Sequence, residues 1–238
     1  MRRFRRLFRW TLSRLRRIER WTACPGLVSR LNVSPFFFFF LILASLSARA
    51  EPRYDNLVDI KSVDPTIAVE LRYATPRNFT GHALYPPDLP ALVRPTTAAR
   101  LAKAQEFLRA RHYGLKVWDA YRPMTAQLEL WQRTHNGSFV ADPSEGDGSL
   151  HTWGVAVDVT LVDENGREVA MPTKFDEFTA AAKLRYDGRD PVVNSHLKLL
   201  QDAMHEGGFY GLSSEWWHFA ARDWKKYAPM REAKLITK

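Results

Sequence analysis

The sequence predicts an α+β domain in which helices pack on a central antiparallel sheet. Three stretches with helical periodicity are interspersed, in mixed order, with short apolar or alternating runs. Some of these runs are joined by turns of hairpin length, such as Asp64-Pro65 and the segment 163–166. Short turns join antiparallel neighbours, whereas a doubly wound parallel sheet requires a long crossover between its strands. The mixed order and the hairpin-length turns therefore favour the α+β class. The chain also contains no phosphate-binding glycine loop.

Strands are predicted where apolar residues alternate or run together between turn residues. Residues 57–63 and 66–73 are expected to pair antiparallel across the Asp64-Pro65 turn. The other predicted strands are 115–118, 155–160, a return strand through Val169, 209–210 and 215–221.

Helices are predicted where apolar residues recur at helical spacing between start and stop residues. A first helix is expected over 97–112, with Gly114 beyond its end, and a second over 124–135, with Pro123 near its first turn. A third helix is expected to begin at a cap formed by Asn194 or Ser195 and to reach Glu206.

The chain divides into a leader, residues 1–50, and one domain, residues 51–238. The leader contains 11 of the 35 basic residues and one of the 26 acidic residues, followed by an apolar run over 36–46 and the small-x-small sequence 48–50. This order is typical of an export signal, and the apolar run is shorter than the roughly 20 residues of a membrane span. An uncleaved anchor, or a start placed too far upstream, is the alternative.

Charge and cysteine content argue against a nucleic-acid-binding protein and against a disulfide-stabilised or lipid-anchored domain. Residues 51–238 carry 24 basic and 25 acidic residues, so the net charge of +9 belongs to the leader and no basic surface remains for nucleic acid. Cys24, in the leader, is the one cysteine, so the domain has neither a disulfide nor a lipid-anchor cysteine. The predicted domain depends on its core and on a metal for stability.

The candidate site centres on the segment 149–160. The valines of its strand share one face, whereas Asp158 points to the other face, on a largely apolar element. His151 lies seven residues earlier and would point the opposite way in a continuous strand, but Gly154 provides a break that lets it approach from the preceding loop. A histidine and an aspartate that converge in this way supply two of the three protein ligands of a catalytic zinc site.

A third ligand is predicted in the aromatic stretch 215–219. His218 is the candidate ligand, and Glu215 lies three residues before it. A carboxylate beside an open zinc position can accept a proton from water, so Glu215 is the candidate general base.

Five ordered motifs within residues 55–225 resemble the D-alanyl-D-alanine dipeptidases of the VanX type, among the zinc D,D-peptidases. They are Tyr-Ala-Thr-x-x-Asn-Phe-Thr-Gly (73–81), Asp-x-Tyr-Arg-Pro (119–123), Ser-x-His-x-x-Gly-x-Ala-x-Asp (149–158), Met-x-x-x-Phe-Asp (171–176) and Glu-Trp-Trp-His (215–218). The resemblance implies the zinc D,D-peptidase (hedgehog-like) fold and one zinc ion per chain.

The resemblance also implies roles for eight residues. His151, Asp158 and His218 would bind zinc, Glu215 would be the catalytic base, and Arg122 would stabilise the oxyanion. Arg122 suits that role because a permanent charge with several donors stabilises developing negative charge. The remaining matched positions would line the substrate pocket: Ser149, Tyr73 and Asp176.

Each of these residues also has a structural interpretation. Asp158 would serve as a hydrogen-bond acceptor, His218 as a packed core histidine, and Arg122 as a partner of Asp119 or a helix cap. Ser149 would be a turn residue. Packing or loop capping would account for Tyr73 and Asp176.

The activity implied by the resemblance is zinc-dependent hydrolysis of D-Ala-D-Ala to two molecules of D-alanine. Together with the leader, this activity predicts a periplasmic enzyme of peptidoglycan turnover that binds a small dipeptide. Neither nucleic-acid binding nor stable membrane association after cleavage of the leader is expected. A D,D-carboxypeptidase or endopeptidase acting on peptidoglycan stems is one alternative. A noncatalytic, zinc-stabilised wall-binding domain is another.

Overall fold

A computed structural model describes residue 54 and residues 56–230 of the chain. The predicted leader and its cleavage site lie outside these residues. Within the described part, no helix is both long and apolar enough to cross a membrane.

The described residues form a five-stranded sheet and a two-stranded sheet. The strands are β1 Val58–Asp59, β2 Ala68–Val69, β3 Leu92–Val93, β4 Tyr113–Asp119, β5 Ala156–Asp163, β6 Phe209–Leu212 and β7 Glu215–Ala221. The larger sheet has the order β2-β4-β5-β7-β6, and its pairings are antiparallel except for that of edge strand β2 with β4. In the smaller sheet β1 pairs antiparallel with β3.

The predicted antiparallel pair at the start of the domain is wrong. Residues Ile60–Val63 form a short helix, α1, because the Asp59 carboxylate accepts the Lys61 N–H at 2.9 Å and caps its first turn. The Asp64 carboxylate then accepts the Thr66 N–H at 2.9 Å, which fixes the turn into β2. The chain therefore re-enters the fold at the sheet edge, parallel to β4.

The three predicted helices are present, with shifted ends: α2 Pro95–Arg109, α3 Met124–Thr134 and α4 Pro191–Glu206. The predicted cap of the third helix is wrong. Asp190 caps α4 by accepting the N–H groups of Val192 and Val193, and Pro191 occupies the first helical position. The hairpin turn predicted after β5 is present, since the Asp163 N–H donates to the Arg167 carbonyl at 2.9 Å. The predicted return strand through Val169 is reduced to an isolated bridge between Val162 and Glu168.

The central strand β5 is buried along nearly its whole length. On one side of the sheet α2 packs against α4, and α4 contacts β5. An aromatic cluster packs elsewhere in the core, with ring centroids of neighbouring members 5.3–5.8 Å apart; it consists of Tyr73, Trp118, Phe175, Trp216 and Trp217. Buried aromatic surface of this size makes the sheet a rigid platform for polar side chains. The α+β class is confirmed.

Candidate metal centre

Three neighbouring strands bring polar side chains into one row across the sheet. His218 of β7 lies directly opposite Asp158 of β5, and Asp119 of β4 lies opposite Asp158 on the other side. The pairing of Asp119 depends on an irregularity between Val117 and Asp119, which advances β4 by one residue relative to β5. Directly opposed residues have their Cβ atoms about 5 Å apart, so the register itself places these side chains in contact.

The His151 side chain approaches the same row of side chains from a short 3-10 turn, Leu150–Trp153. Gly154 ends this turn and permits the change of direction into β5. Gly154 has φ +70°, and a Cβ there would lie 2.6 Å from a Leu57 methyl carbon. The His151 Nδ1 lies 2.9 Å from the Ala120 carbonyl oxygen, which can only accept. Nδ1 therefore carries the proton, and the Nε2 lone pair is directed into the site.

The three predicted ligands meet at a single point. The His151 Nε2 lies 3.0 Å from the His218 Nδ1 and 3.3 Å from the Asp158 Oδ1, and the last two atoms are 3.1 Å apart. Ligands of a tetrahedral zinc ion, at bonds of about 2.0–2.1 Å, stand about 3.3 Å from one another. The donor set and its spacing therefore fit a zinc ion, and within the described residues this is the group of histidines and carboxylates that could hold one.

Glu215 and His218 face the same cavity because β7 is irregular. In an ordinary strand, residues three apart point to opposite faces. Here Phe219 pairs with Gly211 while Glu215 pairs with Leu212, so β7 bulges between these two positions. The bulge directs Glu215, 5% exposed, into a cavity of about 460 Å³ that Arg122, Ser149, His151 and His218 also line.

The surroundings of Glu215 disfavour ionisation of its carboxyl group. Burial raises its pKa well above the usual value, and the negative charge of Asp158 raises it further. A carboxyl group that holds a proton well in a buried cavity is suited to accept one during a reaction. A bound cation would oppose this shift and favour the carboxylate before reaction.

Arg122 is held at the junction between β4 and α3. Its Nε and Nη2 donate to the Asp119 Oδ2 at 3.0 and 2.7 Å, and its Nη1 donates to the Gln127 Oε1 at 2.8 Å. The guanidinium lies 5.0 Å from the centre of the Tyr73 ring, and its Nη2 is 3.8 Å from the Asp158 Oδ2. Arg122 thus both pairs with Asp119, as the structural interpretation held, and reaches the cavity wall.

Sequence reasoning gave no functional role to Asp119, which is fully buried and central to the site. Its carboxylate accepts from Arg122, from the Ala120 N–H and from the Tyr85 hydroxyl, and its Oδ2 lies 3.4 Å from the His151 Nδ1. One carboxylate therefore orients both a predicted ligand and the predicted oxyanion residue. The one available signal was its position at the start of the Asp-x-Tyr-Arg-Pro motif.

The predicted substrate residues lie in different places. Ser149 lines the cavity beside His151, whereas Tyr73 and Asp176 are not among its described lining residues. The Tyr73 hydroxyl donates to the Asp176 Oδ1 at 3.1 Å, and the Phe79 N–H donates to the Asp176 Oδ2 at 3.3 Å. Burial raises the pKa of Asp176 to about 7.

A second, larger cavity of about 940 Å³ is lined in part by Asp176. Its walls include Asp176, Trp118 and Thr160, but none of the three predicted metal ligands. The negative charge of Asp176 nevertheless contributes to the raised pKa of Glu215. Asp176 therefore lies at the wall of the larger cavity and close to the metal centre.

Comparison with known proteins agrees with these motifs. The family model described as D-Ala-D-Ala dipeptidase (Peptidase_M15) matches residues 53–232. A D-alanyl-D-alanine dipeptidase of Escherichia coli K12 is 37% identical, over 69% of this chain and 83% of that protein. The enzyme of the same name from Enterococcus faecium is 27% identical, over 65% of this chain and 85% of that protein. A solved VanY D,D-pentapeptidase in complex with Zn(II) aligns with 17% identity and a TM-score of 0.35, over 56% of this chain and 75% of that one.

Proposed function

The chain belongs to the D-Ala-D-Ala dipeptidase family of peptidases, and from this premise we propose that it uses one zinc ion to hydrolyse free D-Ala-D-Ala to two molecules of D-alanine. The observation that carries the proposal is the meeting of His151, Asp158 and His218 within 3.0–3.3 Å, beside Glu215 and Arg122 in one cavity. A structural zinc site is closed by a fourth protein ligand, whereas a site with three ligands on a cavity wall leaves one position open.

The chain's own residues divide the chemistry among them. Zinc, when bound, polarises a carbonyl group and acidifies water. Glu215 accepts the proton of the attacking water on its carboxylate and returns it to the leaving amine. Arg122 donates hydrogen bonds to the oxygen on which negative charge develops, with its orientation set by Asp119.

The free ammonium of the dipeptide is assigned to Asp176. Its carboxylate is held by Tyr73 and by the Phe79 N–H, close enough to the metal centre to influence Glu215. A half-buried carboxylate without a cationic partner among its hydrogen bonds favours a ligand that brings one. A substrate with a blocked N-terminus would leave this group unpaired, which provides selectivity against longer stems.

The distinguishing experiment compares free D-Ala-D-Ala with its N-acetylated form, using the purified full chain. We expect D-alanine release from the free dipeptide to be abolished by a chelator and restored by zinc. We also expect kcat/KM for the acetylated substrate to be lower by at least about 100-fold, the usual consequence of a buried polar group left unpaired. A preference for the acetylated substrate would instead establish the carboxypeptidase alternative.

We also propose that the enzyme acts in the periplasm, on dipeptide released during peptidoglycan turnover. The support is the Arg-rich leader with its apolar run and small-x-small sequence over 48–50. An exported enzyme has no access to cytoplasmic wall precursors. Cell fractionation with a reporter fused after residue 50 tests the location, and a reporter retained in the cytoplasm would contradict it.

A further inference from the structure

Gln127 is a fully buried polar side chain in the first turn of α3. Its Oε1 accepts the Nη1 of Arg122 at 2.8 Å, and its Nε2 donates to the Ala141 carbonyl at 2.7 Å. Glutamine is mostly exposed in proteins, and burial of its amide is tolerated when both ends are hydrogen-bonded. Gln127 meets that condition by joining the predicted oxyanion residue to a loop.

The hydrogen bonds of Arg122 leave a defined part of its guanidinium available. Of its five N–H groups, the bonds among the described residues engage three: two on the Asp119 Oδ2 and one on the Gln127 Oε1. One N–H therefore remains on each terminal nitrogen. Asp119 holds Arg122 through a single oxygen atom, about which the guanidinium can swing, so a second acceptor is required to fix its plane.

The loop that Gln127 contacts forms one wall of the metal cavity. Gly137, Ser138, Phe139, Ala141 and Ser149 all line it. Ala141 thus lines the cavity, and its carbonyl accepts a hydrogen bond from the same amide that holds Arg122. The amide of Gln127 connects the position of this wall with the orientation of the guanidinium.

We propose that Gln127 is a positioning residue that fixes the plane of the Arg122 guanidinium, so that its two remaining N–H groups face the oxygen on which charge develops. The inference rests on the proposed hydrolytic function. Gln127 contacts neither metal ligands nor reacting atoms, and it acts through Arg122. Its loss should therefore lower turnover far more than substrate binding.

A matched control lies in α2. Gln105 is also buried, at 2% exposure, and its amide accepts the Leu115 N–H at 2.7 Å and donates to the Thr66 hydroxyl at 3.1 Å. Neither partner lines the metal cavity. Gln105→Leu thus removes a buried amide of the same kind without touching Arg122.

Steady-state kinetics on D-Ala-D-Ala compare the two variants. We expect Gln127→Leu to lower kcat by about 10-fold to 100-fold with KM within about 3-fold, because a slightly misplaced charge stabilises the transition state poorly. Gln105→Leu should lower the melting temperature by a similar amount while kcat stays at the wild-type value. Equal kcat in the two variants would overturn the proposal.

Chemical rescue supplies a second readout that general loss of stability does not reproduce. Arg122→Ala should regain activity when guanidinium is added at non-denaturing concentration, because Asp119 and Gln127 still form its binding site. The Arg122→Ala/Gln127→Leu double variant should not be rescued, whereas Arg122→Ala/Gln105→Leu should be. Equal rescue of both double variants would contradict the assignment.

An activity-independent measurement separates this inference from the proposed function. Fixed acceptors on both sides slow rotation about the Cζ–Nη bonds, so nitrogen NMR should resolve the Nη resonances of Arg122 in the wild-type protein and in Gln105→Leu. In Gln127→Leu we expect the two Nη resonances of Arg122 to merge into one averaged resonance. Retention of resolved resonances there would overturn the role of Gln127. A wild-type protein with resolved resonances but no dipeptide hydrolysis would instead overturn only the proposed function.

Discussion

Two clusters of charged side chains in this domain differ in how their charges are balanced. The paired cluster lies across β2, β4 and the hairpin after β5, where each carboxylate contacts at least two cationic groups at 2.8–3.5 Å. Its members are Glu70, Arg72, Arg77, Lys116 and Glu168. Hydrogen bonds from Trp118 and Lys116 outweigh burial and lower the pKa of Glu168, so its charge is stable within the protein.

The acidic cluster at the metal centre has the opposite composition. Four carboxyl groups, Asp119, Asp158, Asp176 and Glu215, surround the single guanidinium of Arg122 among the described residues. Two of them have raised pKa values, because burial and mutual repulsion oppose their ionisation. Asp158 remains ionised, since His151 and His218 outweigh its burial and lower its pKa.

The difference indicates what each cluster is for. A group of charges that is neutralised internally contributes structure and gains little from any ligand. An excess of carboxyl groups in and beside a cavity favours a cation from outside, such as a metal ion or an ammonium group. The acidic cluster therefore suits a cationic ligand better than the paired cluster does, and four substitutions or changes of condition test that contrast.

The largest effect is expected from Glu215→Gln. The amide keeps the shape of the carboxyl group but cannot accept a proton, so kcat should fall by about 1,000-fold while zinc content is unchanged. Glu168→Gln, in the paired cluster, is the matched control and should retain the wild-type kcat. Full activity in Glu215→Gln would remove its assigned role as base.

Zinc binding should stabilise the domain strongly. At zinc about 1,000-fold above its dissociation constant we expect about 4 kcal/mol, which corresponds to a rise in melting temperature of about 10 °C. The comparison is thermal unfolding of chelated and zinc-loaded protein. Asp158→Asn should lose the response, because the site then lacks its anionic ligand, whereas Glu168→Gln should keep it. A wild-type melting temperature that does not change when zinc is added would contradict the proposed site.

A smaller effect is expected from pH acting on Asp176. Burial raises the pKa of its carboxyl group to about 7 in the folded protein, above the 3.8 of an unperturbed aspartate. Between these values the folded state binds more protons than the unfolded state, so the contribution of Asp176 to stability is present below about pH 4 and is lost as pH rises to 7.

Asp176→Asn should remove that dependence. Denaturant unfolding at pH 5 and pH 8 should show the variant gaining about 1 kcal/mol relative to wild type over this interval, allowing for the partial exposure of the group. KM of the wild-type enzyme should rise below pH 7 as Asp176 takes up a proton and loses its attraction for the ammonium. Parallel stability profiles in the two proteins would contradict the raised pKa.

The smallest effect is expected at the edge of the paired cluster. The Arg77 side chain is 62% exposed and pairs with Glu70 at 2.8 Å. Exposed ion pairs contribute little, so Arg77→Met should change the free energy of unfolding by less than about 1 kcal/mol and leave kcat unchanged. A loss of activity in this variant would show that the two clusters are coupled.

Much of this architecture follows from the sequence. Asp158 on a buried strand, the break at Gly154 and the aromatic stretch before His218 are local patterns, and they predicted which residues meet. The helices were predicted because their apolar periodicity is local as well. The prediction of a first antiparallel pair of strands was wrong because the Asp59 cap and the Asp64 turn compete with strand formation. The alternation of apolar residues does not reveal the outcome of that competition.

By itself the sequence determined the chemical types at the site: two imidazoles, carboxyl groups and a guanidinium, in motifs of fixed spacing. Only the tertiary structure decided how they face one another. The irregularities in β4 and β7 turn Asp119 and Glu215 toward the metal centre, and Gln127 meets Arg122 and the cavity wall together. These relations depend on register and on contacts between distant segments. A cavity with excess negative charge exists only once those segments have come together.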